Sequence, residues 1–344
     1  MRTPGSCTHD RSITTVGSNS RSLRSRTMVR ISSQGSCDVS KWSRRSPTGF
    51  IGRHAAAALL ARGHAVAIGT RFPGRAARLP DILRACERHE VRFERLLERD
   101  DWLLIIAGFD AVVNAVGILR ERPSESYEAV HHLAPAALAA ACALGDKRLV
   151  HVSALGLAAR ARSRFLRSKI AGEHGVASSG ADYCIVRPSL LDGPGGFGAR
   201  WLRAMARLPV HVVPADAKGR IAAMDVRDLG TAIAALCEAR LRHAERGGIH
   251  AVTMAGYLAA LRRRTSKRPA LLIRLPAWLA RGASHLCDLL HFSPFSYGHL
   301  ELMRADNVPR PNLLPSLLGR PLTLVVDRPE TIEHPPVALG RPAL

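Results

Sequence analysis

T-G-F-I-G-R-H-A-A-A-A-L-L-A-R-G-H-A-V-A-I-G-T-R, from Thr48 to Arg71, decides how this chain reads. Two glycines, Gly49 and Gly52, flank Phe50 and Ile51 and open an alanine- and leucine-rich run. Ile51, Leu59 and Leu60 fall on one face, and Gly63 stops the run as a helix-terminating glycine does, so a helix is expected over Gly49–Arg62. Val66 and Ile68 then mark a short strand over His64–Thr70. Glycines at a helix entry let the backbone approach a pyrophosphate, whose charge the helix N-terminus favours. The bland alternative is an ordinary helix-entry turn. Arg71 stands nineteen residues after Gly52, at the end of that strand. An acid there would bind the ribose 2′-hydroxyl of NAD, whereas an arginine accommodates the 2′-phosphate of NADP. NADP(H) is therefore favoured over NAD(H), with coincidence as the competing account because 45 of the 344 residues are Arg.

The same alternation continues outward. Asp81–Glu90 reads as helix, Val91–Phe93 as a weak strand, Ala111–Asn114 as a stronger one and Glu125–Leu144 as a long helix. Arg148–Ser153 is a buried strand, Ser163–Val176 a helix and Tyr183–Val186 a strand. Strands and helices alternating in units of this length imply an α/β fold, a doubly wound parallel sheet of Rossmann type. Beyond Asp192 prolines become frequent and the units irregular, which implies a small mixed C-terminal region. The expected divisions are 1–47, unstructured or aberrant; 48–190, the NAD(P)-binding domain; 191–330, a substrate or partner region; and 331–344, a tail.

Composition narrows the function classes. Hydrophobic residues at 47% and charged residues at 23% are ordinary globular usage. The net charge of +22 suggests a polyanion. Yet only five of the 50 basic residues are Lys, the arginines are spread along the chain and aromatic residues for base stacking are few, so nucleic acid is a weak alternative. Seven cysteines without a C-x-x-C pair support neither a disulfide framework nor a zinc site, and no metal is expected. A reducing, cytoplasmic setting fits. His131-His132 has no ligand partner at i+4 and reads as capping or packing. Ser153 sits in V-S-A-L-G, not in a hydrolase elbow. Pro276–Leu290 reads as an amphipathic helix that either packs on its own domain or meets a membrane or partner. Arg262–Arg264 with Lys267-Arg268 is a solvated face or one for anionic lipid.

Six segments occur in one order and spacing: T-G-F-I-G, D-A-V-V-N-A-V-G (Asp110–Gly117), V-S-A-L-G (Val152–Gly156), F-L-R-S-K (Phe165–Lys169), R-P-S-L-L-D-G-P (Arg187–Pro194) and M-D-V-R-D-L (Met224–Leu229). Together they resemble the extended or atypical short-chain dehydrogenases/reductases, the NAD-dependent epimerase/dehydratase group. From Thr48 to about Pro321 the chain is similar to the branch of the nucleotide-binding accessory subunit of respiratory complex I. The resemblance implies that Gly49, Phe50, Ile51 and Gly52, together with Asn114, Ala115, Val116 and Gly117, embrace the dinucleotide. It also implies that Lys169 binds the nicotinamide ribose, that Ser153 sits by the substrate and that the R-P-x-x-x-x-G-P loop borders the substrate pocket. A respiratory-complex or membrane-surface partner, and a place peripheral to the inner membrane, follow from the same resemblance.

The departures carry as much meaning. The first glycine of the family's G-x-x-G-x-x-G turn falls on Ser46, followed by Pro47, which fixes φ and removes a donor. Residues 1–46 hold twelve Ser, eight Arg and two acids, with no sustained period; they read as a transit peptide or, at least as well given the abrupt break at Pro47, as a displaced start or reading frame. Ser36–Arg45 is too polar for a buried first strand, and Met28–Ile31 lies too far upstream for a tight strand–turn–helix. Phe165 stands where the family has the tyrosine whose proton Lys169 makes mobile. Tyr127, Tyr183, Tyr257 and Tyr297 offer no evident replacement, and Asp192 stands where an aromatic is usual. The expectation is a dinucleotide-binding protein with a disabled proton relay. The alternative is a working oxidoreductase or epimerase on a quinone- or sugar-like substrate, using Lys169, Ser153 and another acid.

Overall fold

The computed structural model describes residues 26–31, 49–74, 80–239, 241–290 and 295–325, the first six by backbone alone. Thr48, the Ser46–Pro47 turn and the tail 331–344 lie outside the described residues. The first half alternates: β1 (Arg26–Ile31), α1 (Phe50–Ala61), β2 (Ala65–Thr70), α2 (Asp81–Arg84), β3 (Glu87–Glu90), α3 (Asp100–Ile106), β4 (Ala111–Ala115), α4 (Ala134–Leu144), β5 (Arg148–Val152), α5 (Arg164–Ala177) and β6 (Asp182–Pro188). The second half is irregular: β7 (Leu191–Asp192), α6 (Phe197–Arg207), β8 (Val210–Pro214), β9 (Arg220–Ile221), β10 (Met224–Asp225), α7 (Val226–Glu238), β11 (His243–Arg246), β12 (Val252–Thr253), α8 (Met254–Arg263), β13 (Leu271–Leu275), α9 (Ala277–Leu290), α10 (Tyr297–Arg304) and α11 (Leu314–Leu318).

Seven strands form one sheet in the order β3-β2-β1-β4-β5-β6-β11, and every neighbouring pair is parallel. This is the doubly wound Rossmann-type α/β fold that the alternation implied. The winding reverses between β1 and β4, so the ligand crevice of such a sheet lies beyond Ile31 and Ala115. All five residues of β5 are buried, as a strand covered by helices on both faces requires. Ala55, Ala56 and Leu59 of α1 pack with Leu229, Ile233 and Leu236 of α7 on one face. Trp102 and Ile106 of α3, Leu138 of α4 and Val176 of α5 pack on the other. A third core gathers Tyr257, Leu258 and Leu261 of α8 with Val213 and Ile221 in the C-terminal region. Three two-stranded pairs, β10-β7, β12-β9 and β13-β8, give that region its mixed character.

Several expectations are corrected. The first strand is not missing: Arg26–Ile31, inside the stretch expected to be unstructured, is the central strand between β2 and β4. Distance from α1 does not prevent this, because loop-closure entropy grows only with the logarithm of length, about 0.6 kcal/mol per doubling. Asp81–Glu90 is not one helix; α2 ends at Arg84 and Glu87–Glu90 pairs with β2 at the sheet edge. A polar sequence suits an edge strand, which explains why it was illegible as β. Phe93 opens a short 3₁₀ turn instead of closing a strand, and α3 went unassigned.

The long helix has a structural break as well. Residues Glu128–Leu133 form a π-helical stretch that runs into α4. Pro135 cannot donate to the carbonyl of His131 four residues earlier, which removes a bond from an α-helical ladder. Gly172 of α5 lies directly against that carbonyl: a Cβ there would sit 1.9 Å from the His131 oxygen. The missing side chain thus sets how closely α5 approaches, and α5 carries Phe165 and Lys169.

Candidate active site

The ends of β4 and β5 and one face of α5 converge. Asn114 of β4 is paired in register with His151 of β5, so their side chains share a sheet face. Asn114 Nδ2 lies 3.0 Å from His151 Nδ1, and its Oδ1 accepts from the Val116 N–H at 3.1 Å. The Asn114–Gly117 turn is therefore held by its own first residue. Two residues on, the Ile118 N–H donates to His131 Nε2 at 3.0 Å, while His131 Nδ1 lies 3.1 Å from Ser168 Oγ. With Nε2 accepting, the ring proton belongs on Nδ1. Burial first, then the Lys169 charge, keeps His131 well below the ordinary imidazole range and therefore neutral. His131 ties the turn to α5 as a packing residue.

Lys169 reaches this turn: a Cβ on Gly117 would lie 3.9 Å from Nζ and 3.7 Å from His131 Nε2. Burial pulls the Lys169 ammonium down to about 8, opposed by the negative charge of Glu173. Glu173, one turn further along α5, receives Arg187 through Nε at 2.9 Å and Nη2 at 2.5 Å. Burial pushes the Glu173 carboxyl up, but Arg187 outweighs it and, with help from the nearby Ser153 hydroxyl, holds it below the usual range. Ser153 Oγ is buried at the end of β5 close to the Glu173 carboxylate, outside ideal hydrogen-bond geometry. His151 falls to about 4 through burial and the Lys169 charge.

Phe165 and Lys169 share a face, with Nζ 5.7 Å from the ring centroid. Tyr127, His131 and His299 surround the same ring at 5.6, 5.5 and 5.8 Å. Tyr127 is half-buried against the core, and its hydroxyl donates to the Leu119 carbonyl at 2.7 Å. Burial and the charges of Asp288 and Glu121 push that phenol further up, so it does not replace the missing acid. His299 drops to about 4, by burial and then Arg120. Tyr257 is fully buried in the C-terminal core, Tyr183 is a buried β6 residue and Tyr297 stacks on His285. Asp192 is buried and paired with Arg203 at 2.6 Å.

The remaining expected residues lie across the crevice. Gly49 caps α1 without a side-chain bond, Phe50 and Ile51 form its first turn and Gly52 is buried. The loop after β7 closes on this turn: Arg53 Nη2 donates to the Pro194 carbonyl at 2.8 Å, and a Cβ on Gly196 would meet the Phe50 ring at 2.8 Å. Arg71, just past β2, is ion-paired with buried Glu125. Glu125, Glu173, His151 and His299 were not foreseen. The four-residue spacing of Glu173 from Lys169 was a usable signal; the others depend on long-range packing. Among the described residues no group of three or more His, Cys, Asp or Glu could hold a metal, and no helix is long and apolar enough to cross a membrane.

Comparison with known proteins agrees with the geometry. Residues 47–207 match the family model described as NAD(P)H-binding. That match spans just under half of the chain and falls on the Rossmann-type sheet, so it supports dinucleotide binding by this part of the protein. The chain is similar to a ceramide reductase of Caulobacter vibrioides, 27% identical over 191 residues, and spans 58% of that relative's length and 55% of its own. Among solved structures it resembles a nucleoside-diphosphate-sugar epimerase from Staphylococcus aureus, with a TM-score of 0.62, 15% identity and coverage of 87% and 97% of the two chains. MoeE5 in complex with UDP-glucuronic acid and NAD gives a TM-score of 0.57 at 18% identity, covering 87% and 94%. These structural likenesses show the shared fold.

Proposed function

We propose that the chain binds NADP(H) across the β1–β4 switch point and holds it as a structural ligand, with the proton relay of the short-chain dehydrogenase group disabled. The nicotinamide ring supplies hydride chemistry when bound. Gly49–Gly52 would face the pyrophosphate, Asn114–Gly117 would line the dinucleotide, Lys169 would hold the ribose and Arg71 would meet the 2′-phosphate. Phe165 carries the reading: it fills the relay position with a ring that has no proton to give, and the adjacent Tyr127 phenol is committed to a backbone carbonyl. The resemblance to the complex I accessory subunit favours a partner on the C-terminal region.

A fluorescence titration with NADPH and separately with NADH, followed by an assay of NADPH oxidation, tests this. Saturable binding, tighter for NADPH and without turnover, is expected, and Phe165→Tyr should gain turnover. Oxidation by the unaltered chain would sink the impaired-relay reading. Failure of both nucleotides to bind would sink the cofactor reading.

The buried Ser153 hydroxyl, near Glu173 one turn along α5 from Lys169, favours one second reading, an active reductase or epimerase on a quinone- or sugar-like substrate. The similarity to a ceramide reductase adds a ceramide-type lipid to those candidates.

A further inference from the structure

Helix α9 is packed inside out. Its buried residues are the small Ala280, Ser284 and Cys287. Helix α10 meets its flank, where Asp288 Oδ2 accepts from the Tyr297 N–H at 3.0 Å and the exposed His285 stacks on Tyr297 at 4.8 Å. Its large apolar residues face outward, with Trp278 75% exposed, Leu289 74%, and Leu286 also exposed. A helix that only packed on its own domain would carry the opposite pattern. The strand that leads into it repeats the anomaly. Leu271, Leu272 and Ile273 of β13 are exposed, and so is Val212, the register partner of Ile273 on β8. Single exposed apolar residues are ordinary, but a run of them over consecutive elements is not.

The charge around this surface is one-sided. Residues 247–290 contain seven Lys or Arg and one acid, Asp288, which is engaged by the Tyr297 N–H and by Arg120. Lys267, Arg268, Arg274 and Arg281 are exposed on the loop before β13, on β13 itself and on α9. An isologous contact with a second copy would set this basic rim against itself. Anionic headgroups answer the charge, while an indole and leucines at the same level suit the interface between headgroups and acyl chains.

We propose that β13 and α9 form a docking face for an anionic lipid bilayer, with Trp278, Leu286 and Leu289 entering the interface and Lys267, Arg268, Arg274 and Arg281 meeting the headgroups. This names the membrane surface as the partner on the C-terminal region. It stands independently of the relay reading, because neither Phe165 nor the dinucleotide enters it.

The experiment is co-sedimentation of the full chain with vesicles of phosphatidylcholine alone, and with vesicles containing about 30% phosphatidylglycerol. Binding at least about tenfold stronger to the anionic vesicles, weakened by salt, is expected. Brominated acyl chains should quench Trp278, and Trp278→Phe should lose most of that quenching. Leu286→Ser with Leu289→Ser should reduce binding about tenfold or more while leaving the NADPH titration unchanged. Equal binding to both vesicle types, or anionic binding untouched by the leucine changes, would overturn the proposal. So would a self-associated chain that the leucine changes convert to monomer, which would assign the face to a second copy. Binding that emerges only after deletion of residues 326–344, which carry Asp327, Glu330 and Glu333, would assign it to the chain's own tail.

Discussion

Arg71 and Glu125 are ion-paired at the carboxyl end of β2, and both side chains are largely buried. The residue expected to select a 2′-phosphate therefore already holds an anion, and NADPH must take the guanidinium from a carboxylate that would be left unpaired. Such an unpaired buried charge is costly. Glu125→Gln is expected to tighten NADPH about tenfold, equivalent to about 1.4 kcal/mol, with little effect on NADH. Paired titrations check this, and an equal change for both nucleotides would remove Arg71 from the recognition of the phosphate.

As the proposed ribose ligand, Lys169 should make nucleotide affinity depend on pH. Its ammonium titrates at about 8 in the folded chain, lowered mainly by burial. Below that point the group is charged and can donate to ribose oxygens; above it the donor weakens. NADPH affinity should fall as pH rises through about 8. The stability contribution has the opposite sign: between about 8 and the unfolded value near 10.4 the unfolded chain binds more protons, so the fold gains stability as pH rises across that window. Titrations from about pH 6.5 to 9.5 should show the affinity break in the unaltered chain and lose it in Lys169→Met.

Gly172 sets the approach of α5 to the π-helical stretch. A Cβ at 1.9 Å from the His131 carbonyl oxygen cannot be absorbed by a flexible side-chain tip, because the obstacle is backbone. Gly172→Ala should destabilise the chain by about 3 kcal/mol, despite the better helix propensity of alanine. Denaturant unfolding measures it; a stability gain would mean that α5 sits farther out.

Asp228 anchors the last described segment to α7. It is fully buried, and accepts from Arg320 Nη2 at 2.6 Å and from the Thr323 N–H at 2.7 Å. Asp228→Ala should cost about 3–5 kcal/mol by leaving buried donors without their acceptor. Limited proteolysis should also release the segment around Arg320–Thr323 first, and unchanged resistance would count against the anchor.

Local patterns made most of the sheet legible, because β2, β4, β5 and β6 are apolar runs set between helices with clear stops. β1 was not readable as the central strand because its place comes from pairing with β2 and β4, which no nearby helix signals. β3 was hidden by its polar edge sequence, and the π stretch by a proline that looked like a tolerated helix residue. At the site, Lys169 Nζ reaches Gly117 at the end of the Asn114–Gly117 turn, while Ser153 lies near Glu173, one turn along α5. His299 lies 130 residues beyond Lys169 and reaches Phe165 only through tertiary packing. Arg71 was readable by position, but its pairing to Glu125 was not.

The return of the chain to the main sheet limits how this protein can be divided. β11 adds to β6 only after the whole excursion through α6, β8 and α7. A chain cut after residue 190 would leave β6 as an open edge of parallel backbone donors and acceptors, and would uncover the apolar face of α1 that α7 covers. Such an edge recruits neighbouring chains. The nucleotide half, produced alone, should therefore precipitate, and any shorter version that stays in solution will have to keep the strand at His243–Arg246.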